Sequence, residues 1–220
     1  MKIGIIGAFD EEIEKLIEIF DLKKDNTKNK NIYVGSYDGK SLFVANSGIG
    51  KVNSGAMTQY MIDTYNLDFI INSGCAGSLK DNVKIMDIII SSYVMYHDFS
   101  PVRVMAYSVP NEGKVKADQQ LIKITEKVLN DLKISNYFIA PITSGDCFVT
   151  DSKMRDDIYN RTKALAVDME STSIGHIATI NNVPFVSIRT ISDFADGQDD
   201  FEVEAAHNSS IIVKNIIESI

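Results

Sequence analysis

The chain has 220 residues, 45% of them hydrophobic, with 22 lysines and arginines against 30 aspartates and glutamates and a formal charge of −8. That length suffices for one substantial core and argues against two domains; the negative charge, with no stripe of basic residues interleaved with aromatics, argues against a nucleic-acid partner. Cys75 and Cys147 lie far apart without CxxC spacing, which speaks against a disulfide framework or a zinc site and suits a reducing compartment, so the cytoplasm is the expected location.

The first apolar run, residues 3–8, is preceded by little more than Lys2 and runs into Asp10, Glu11 and Glu12. It is too short for a membrane span and lacks the shape of a signal peptide, so it reads as a strand over 2–6. A helical pattern follows over 10–20, then a polar stretch over 21–31, rich in Lys and Asn, that is expected to be a solvated loop. Strands at 32–37 and 41–46 flank Asp38-Gly39 and read as a hairpin, which makes the sheet mixed. Further along, strands are expected at 69–73, 87–92, 138–144, 164–168 and 184–191, and helices at 51–65, 118–132, 152–160, 170–181 and 202–219. Several strands are apolar on both faces, as in a sheet covered on both sides. The class is α/β, a three-layer αβα sandwich with a mixed central sheet, forming a single domain over 1–220. Ile211, Ile212, Ile216 and Ile217 in the last helix are read as core packing rather than a membrane anchor.

In such a sheet, ligands gather where strands end and helices begin. Asp10-Glu11-Glu12 complement a helix macrodipole or carry chemistry. Asn72-Ser73-Gly74-Cys75-Ala76-Gly77 cradles an anion or turns the chain tightly, and without a following Lys it is not a P-loop. Asp168 and Glu170 flank Met169, and one of them caps the next helix or both face a site. Asp193 closes the most apolar strand as a surface stop or as a buried acid, and buried acids are costly unless paired or used. Together, Glu12, Glu170 and Asp193 form the kind of set that cleavage between a sugar and a leaving group requires: an acid, a base for water and a holder of the sugar.

The opening MKIGIIGA followed by Glu11-Glu12, then Ser47-Gly48-Ile49-Gly50-Lys51-Val52, Ile70-Ile71-Asn72, Tyr96-His97-Asp98, Ser144-Gly145-Asp146, Val167-Asp168-Met169-Glu170 and Arg189-Thr190-Ile191-Ser192-Asp193 occur in order. In these motifs, and nearly end to end, the chain resembles the 5′-methylthioadenosine/S-adenosylhomocysteine nucleosidases of the purine-nucleoside phosphorylase superfamily. The resemblance implies a phosphorylase/hydrolase-like fold and hydrolysis of adenine nucleosides such as methylthioadenosine, S-adenosylhomocysteine and 5′-deoxyadenosine to adenine and the free sugar, as in methionine salvage. It implies no metal or organic cofactor.

It also implies roles. Asp193 is expected to protonate N7 of adenine, a task that needs a carboxyl holding its proton through burial or a suitable hydrogen bond. Glu12 is expected to activate water, and Glu170 to accept hydrogen bonds from the ribose hydroxyls. Met169 would pack under the sugar, Phe148 would stack on the adenine, and Ser192 and Arg189 would support Asp193. Ile49, Met105 and Phe201 would line an apolar slot for the 5′ group, with Val102 contributed by the neighbouring subunit of a homodimer. Ala8 and Val149 complete the expected substrate-binding set. Cys75 stands where the family commonly has a serine near the catalytic water, and a thiol is the weaker donor.

Two other readings compete. A phosphate-dependent phosphorylase would need cations around its anion, yet Arg103, Arg155, Arg161 and Arg189 do not fall at the early positions such a site uses, whereas Glu12 does. A non-catalytic nucleoside-binding protein on the same scaffold would not need all three carboxylates. His97 is expected to orient a loop, His176 and His207 to pack or meet solvent, and Cys147 to be a small buried side chain.

Overall fold

The computed structural model describes residues 1–99, 113–197 and 203–220. Its strands are β1 (Lys2–Gly7), β2 (Lys23–Lys24), β3 (Ile32–Tyr37), β4 (Lys40–Asn46), β5 (Phe69–Ser78), β6 (Ile88–Tyr96), β7 (Val115–Lys116), β8 (Tyr137–Ser144), β9 (Ala166–Asp168) and β10 (Phe185–Asp193). Its helices are α1 (Glu14–Ile19), α2 (Lys51–Tyr65), α3 (Gln119–Asp131), α4 (Ser152–Thr162), α5 (Ser171–Ile180) and α6 (Val203–Ser219), with a 3-10 turn over Asp10–Glu12.

The mixed sheet expected from the hairpin is present. β1 lies parallel to both β4 and β5, and β3 returns antiparallel along β4 through Asp38 and Gly39, both at positive φ, as a tight two-residue turn demands. Beyond β5 the sheet closes on itself. β10 runs parallel to β5 and antiparallel to β6; β6 and β8 are parallel, as are β8 and β9; and β9 returns antiparallel to β5. β5 and β10 are buried at every residue, which is why their sequences show no alternation of polar and apolar positions. Helix α6 packs on β5 and β10 with α1 and α3 beside it, while α2 and α5 pack together elsewhere on the sheet. The apolar core runs continuously from Ile3, Ile5 and Ile6 through Ile70, Ile71, Ile88 to Ile90 and Ile188, and takes in Ile212, Ile216 and Ile217 from α6.

Three expectations are corrected. The stretch 21–31 is not wholly a solvated loop: Lys23 pairs with Val34 and Lys24 with Tyr33, and Leu22 is buried over Gly35. A single buried leucine beside the lysines anchors an edge strand whose backbone supplies the pairing. The helix expected over 10–20 is broken at Ile13, whose φ of −124° and ψ of −18° separate the 3-10 turn from α1. The glycine-rich stretch after Ser73 does not turn but extends β5 to Ser78, pairing with β10 as far as Asp193 through a register shift between Ile191 and Asp193.

Candidate active site

The ends of β1, β5, β9 and β10 and the loops after β4 and β8 enclose a cavity of about 350 Å³. Of the expected site residues, Ala8, Glu12, Ile49, Cys75, Phe148, Val149, Met169, Glu170, Ser192 and Asp193 all line it. Val102, Met105 and Phe201 lie outside the described residues. The charged residues in the lining are Glu12, Asp168, Glu170 and Asp193; no lysine or arginine among the described residues lines the cavity.

Glu12 is delivered by the 3-10 turn and is almost fully buried, so it is not a surface complement to a helix dipole. Its Oε2 accepts the Ala8 amide at 2.5 Å, and its Oε1 accepts the Cys75 amide at 3.0 Å and faces the Cys75 thiol at 3.5 Å. Burial pushes its pKa up against the lowering effects of Arg189 and the two amides. Gly74 makes this approach possible: a Cβ there would fall 2.0 Å from Glu12 Oε1 and 2.2 Å from Arg189 Nη1.

Arg189, expected beside Asp193, is instead a fully buried hub for the other acids. Its Nη1 lies 3.3 Å from Glu12, and its Nη2 lies 2.8 Å from Asp168 and 3.6 Å from Glu170. The guanidinium also donates to Asn72 Oδ1, Ser171 Oγ and the Cys75 carbonyl. The two residues stand four apart on one strand, about 13 Å of extended backbone, so one side chain cannot serve the other. Burial opposes the charge on Arg189, but Asp168, Glu12 and Glu170 hold its pKa above the ordinary value.

Asp168 was legible only as a neighbour of Glu170. It performs both functions left open for the pair: its Oδ1 accepts the amides of Glu170 and Ser171 at the start of α5, and its Oδ2 holds Arg189. Ser144 and Ser171 hydroxyls donate to it as well. Glu170 turns into the cavity, where its Oε1 accepts the Gly50 amide at 2.8 Å. Its pKa is raised to about 7, first by burial and then by Asp168 and Glu12, against Arg189 and the Gly50 amide. With one guanidinium facing three carboxylates, a proton retained on Glu170 near neutrality relieves the excess negative charge.

Asp193 sits on a different wall. The Ser192 hydroxyl donates to Oδ2 and the Ala195 amide to Oδ1, both at 2.8 Å. A Cβ at Gly77 would come within 3.0 Å of its Oδ1, so the small residue opposite keeps that oxygen's space open. Phe148 is 60% exposed, a face held free at the cavity. Cys147, expected to be buried, is half-buried and also lines the cavity. Burial, then Glu12, raises the pKa of the Cys75 thiol.

The histidines are peripheral. The His97 ring packs over Gly145, its Nε2 has no hydrogen-bond partner, and burial lowers its pKa. His176 meets the Tyr96 hydroxyl and His207 meets Glu14. Arg155 pairs with Asp81, Asp156 and Asp196, and Arg161 with Asp157, so the described arginines are all engaged by carboxylates.

A family model described as the phosphorylase superfamily matches residues 2–218. A 5′-methylthioadenosine/S-adenosylhomocysteine nucleosidase of Staphylococcus haemolyticus is 36% identical, with 98% of each chain covered. Among solved structures, a mutant nucleosidase of Helicobacter pylori with 5′-methylthioadenosine in its active site superposes with a TM-score of 0.91 at 30% identity, covering 100% of this chain and 99% of that one. A futalosine hydrolase mutant from the same organism reaches 0.92 at 29% identity with both chains fully covered.

Proposed function

The chain belongs to the phosphorylase superfamily and, within it, to the 5′-methylthioadenosine/S-adenosylhomocysteine nucleosidases, and from that premise we propose that it hydrolyses the N-glycosidic bond of these two nucleosides with the cavity carboxylates. The observation that carries the reading is the lining itself: Glu12, Asp168, Glu170 and Asp193, with no lysine or arginine among the described residues that line the cavity. Such a surface repels phosphate, stabilises a ribose that becomes cation-like, and leaves water as the nucleophile.

In the proposed mechanism Asp193 gives a proton to N7 of adenine, so that the base leaves neutral. Glu12, held by two backbone amides, orients and deprotonates the attacking water. Glu170 accepts hydrogen bonds from the ribose hydroxyls. Met169 lies under the sugar, Phe148 stacks on the purine, and Ile49 lines the start of the 5′ slot. Arg189 holds Glu12 and Glu170 in one arrangement. Val102, Met105 and Phe201 would extend the 5′ slot, with Val102 coming from the second subunit of a homodimer.

The whole of 1–220 would act as one domain, in methionine salvage and methyl-donor recycling. No helix among the described residues is long and apolar enough to cross a membrane; we place the enzyme in the cytoplasm.

The test is to assay the parent, Glu12→Gln and Asp193→Asn for adenine release from methylthioadenosine. An active parent with both variants at least about a hundredfold slower is expected for acid–base residues. Variants as fast as the parent would remove these two residues from the mechanism, and an inactive parent would leave only a binding protein.

A further inference from the structure

Lys51, the first residue of α2, does not line the cavity, yet its contacts tie together the segments that follow β4, β6 and β8. The ammonium lies 2.6 Å from Oδ2 of Asp98, just beyond β6, and 3.5 Å from Oδ2 of Asp146, just beyond β8. Asp98 Oδ2 also accepts the Asp146 amide at 2.9 Å, and Asp146 Oδ1 accepts the Lys51 amide at 2.8 Å. The clasp therefore closes on the side chain and the backbone of the same residue. An ordinary surface ion pair holds only side chains and contributes little.

The residue before Lys51 is Gly50, at φ +96°, a conformation that side chains disfavour. Its amide is the one donated to Glu170 Oε1 at 2.8 Å. Consecutive amides thus go to two different carboxylates, Gly50 to Glu170 and Lys51 to Asp146, so Asp146 anchors the residue that follows the Gly50 amide. A Cβ on Gly50 would stand 3.2 Å from Asp146 Oδ1, so the two are already in close contact.

We infer that Lys51, together with Asp98 and Asp146, is a positioning residue that holds the Gly50 amide against Glu170 and so keeps that carboxylate set for the sugar. The sugar rests on the nucleosidase reading; the positioning of Glu170 does not. The charged and hydrogen-bonding groups that face Glu170 are Arg189 from β10, Asp168 from β9, Glu12 from the 3-10 turn and the Gly50 amide.

The experiment is to titrate the Glu170 carboxyl by carbon NMR in the parent, Lys51→Met, Asp98→Ala and Lys51→Arg. Through charge alone, loss of Lys51 raises the midpoint and loss of Asp98 lowers it. Loss of the Gly50 hydrogen bond raises it in both. The expected result is a rise of about one pH unit in Lys51→Met and in Asp98→Ala, the scale of one hydrogen bond to a charged group, with Lys51→Arg close to the parent. KM for methylthioadenosine should rise about tenfold in the first two variants, with kcat changed less. Opposite shifts, or none, would overturn the inference. Amide exchange in the parent is a second measurement that no folding defect can obscure: Gly50 should exchange slowly, and exchange as fast as an open loop also overturns it. A parent inactive on methylthioadenosine whose Glu170 still titrates upward in both variants would set aside the nucleosidase reading and leave the clasp standing.

Discussion

Nη1 of Arg189 lies 3.3 Å from Oε1 of Glu12, joining the last strand to the first turn across 177 positions, with both side chains withdrawn from solvent. Removing the cation leaves Glu12, Asp168 and Glu170 buried with hydrogen-bond donors but without their shared counter-charge. Arg189→Met should lose about 3–5 kcal/mol, the range for breaking a buried pair, in urea denaturation at pH 7. The deficit should shrink at pH 5, where Glu170 carries a proton; an equal loss at both pH values would contradict this account of the cluster.

The raised pKa of Glu170, about 7 against 4.5, makes stability depend on pH in a definite direction. Between these values the folded chain holds a proton that the unfolded chain releases, so the contribution is complete below about 4.5 and is lost as pH rises through about 7. Unfolding free energy should fall over that window by up to about 3 kcal/mol. Glu170→Gln should flatten the slope, and denaturation at pH 5, 6, 7 and 8 in parent and variant measures it. A parent curve with the same slope as Glu170→Gln over this window would contradict the raised pKa of Glu170.

The thiol of Cys75 faces Glu12 Oε1 at 3.5 Å. A hydroxyl there makes a shorter and stronger bond to the carboxylate, so Cys75→Ser should raise the hydrolysis rate about two- to fivefold, a fraction of one hydrogen bond in barrier height. A serine variant no faster than the parent removes this reading of the cysteine.

Two glycines separate packing from backbone strain. Gly74→Ala would place a methyl within 2.5 Å of Glu12 Oε1, Glu12 Cδ and Arg189 Nη1, and is expected to cost more than about 3 kcal/mol together with nearly all activity. Gly39, at φ +75° with nothing within 4 Å of its Cβ position, should lose only about 1 kcal/mol on substitution by alanine and keep its activity. Melting curves and adenine release compare the two; similar losses would mean that Gly74 is not required by the side chains opposite it.

The hairpin around Asp38-Gly39, the alternation of strands and helices, and the gathering of Glu12, Glu170 and Asp193 were all legible, because each rests on local pattern or on an ordered motif. The closure of the sheet was not. It depends on β10 pairing with β5 on one side and β6 on the other, and nothing in a buried apolar strand marks which neighbours it takes. Arg189 was misplaced for a related reason: the resemblance implied support of Asp193, within the same motif, whereas strand geometry sends it to acids from the first turn and from the β9–α5 junction. Asp168 stood beside Glu170 in the same motif, and the guanidinium opposite, which no local pattern announces, pairs with both. The edge strand at Lys23–Lys24 was hidden because its stability comes from backbone pairing and the single buried Leu22.

The most direct test of the proposed chemistry is to incubate the purified protein with methylthioadenosine, with and without phosphate, and to identify both products by mass. Adenine and free methylthioribose, formed at the same rate in either buffer, is the expected result and assigns water as the nucleophile. Methylthioribose 1-phosphate, formed only when phosphate is present, would contradict the role of Glu12 and make the enzyme a phosphorylase.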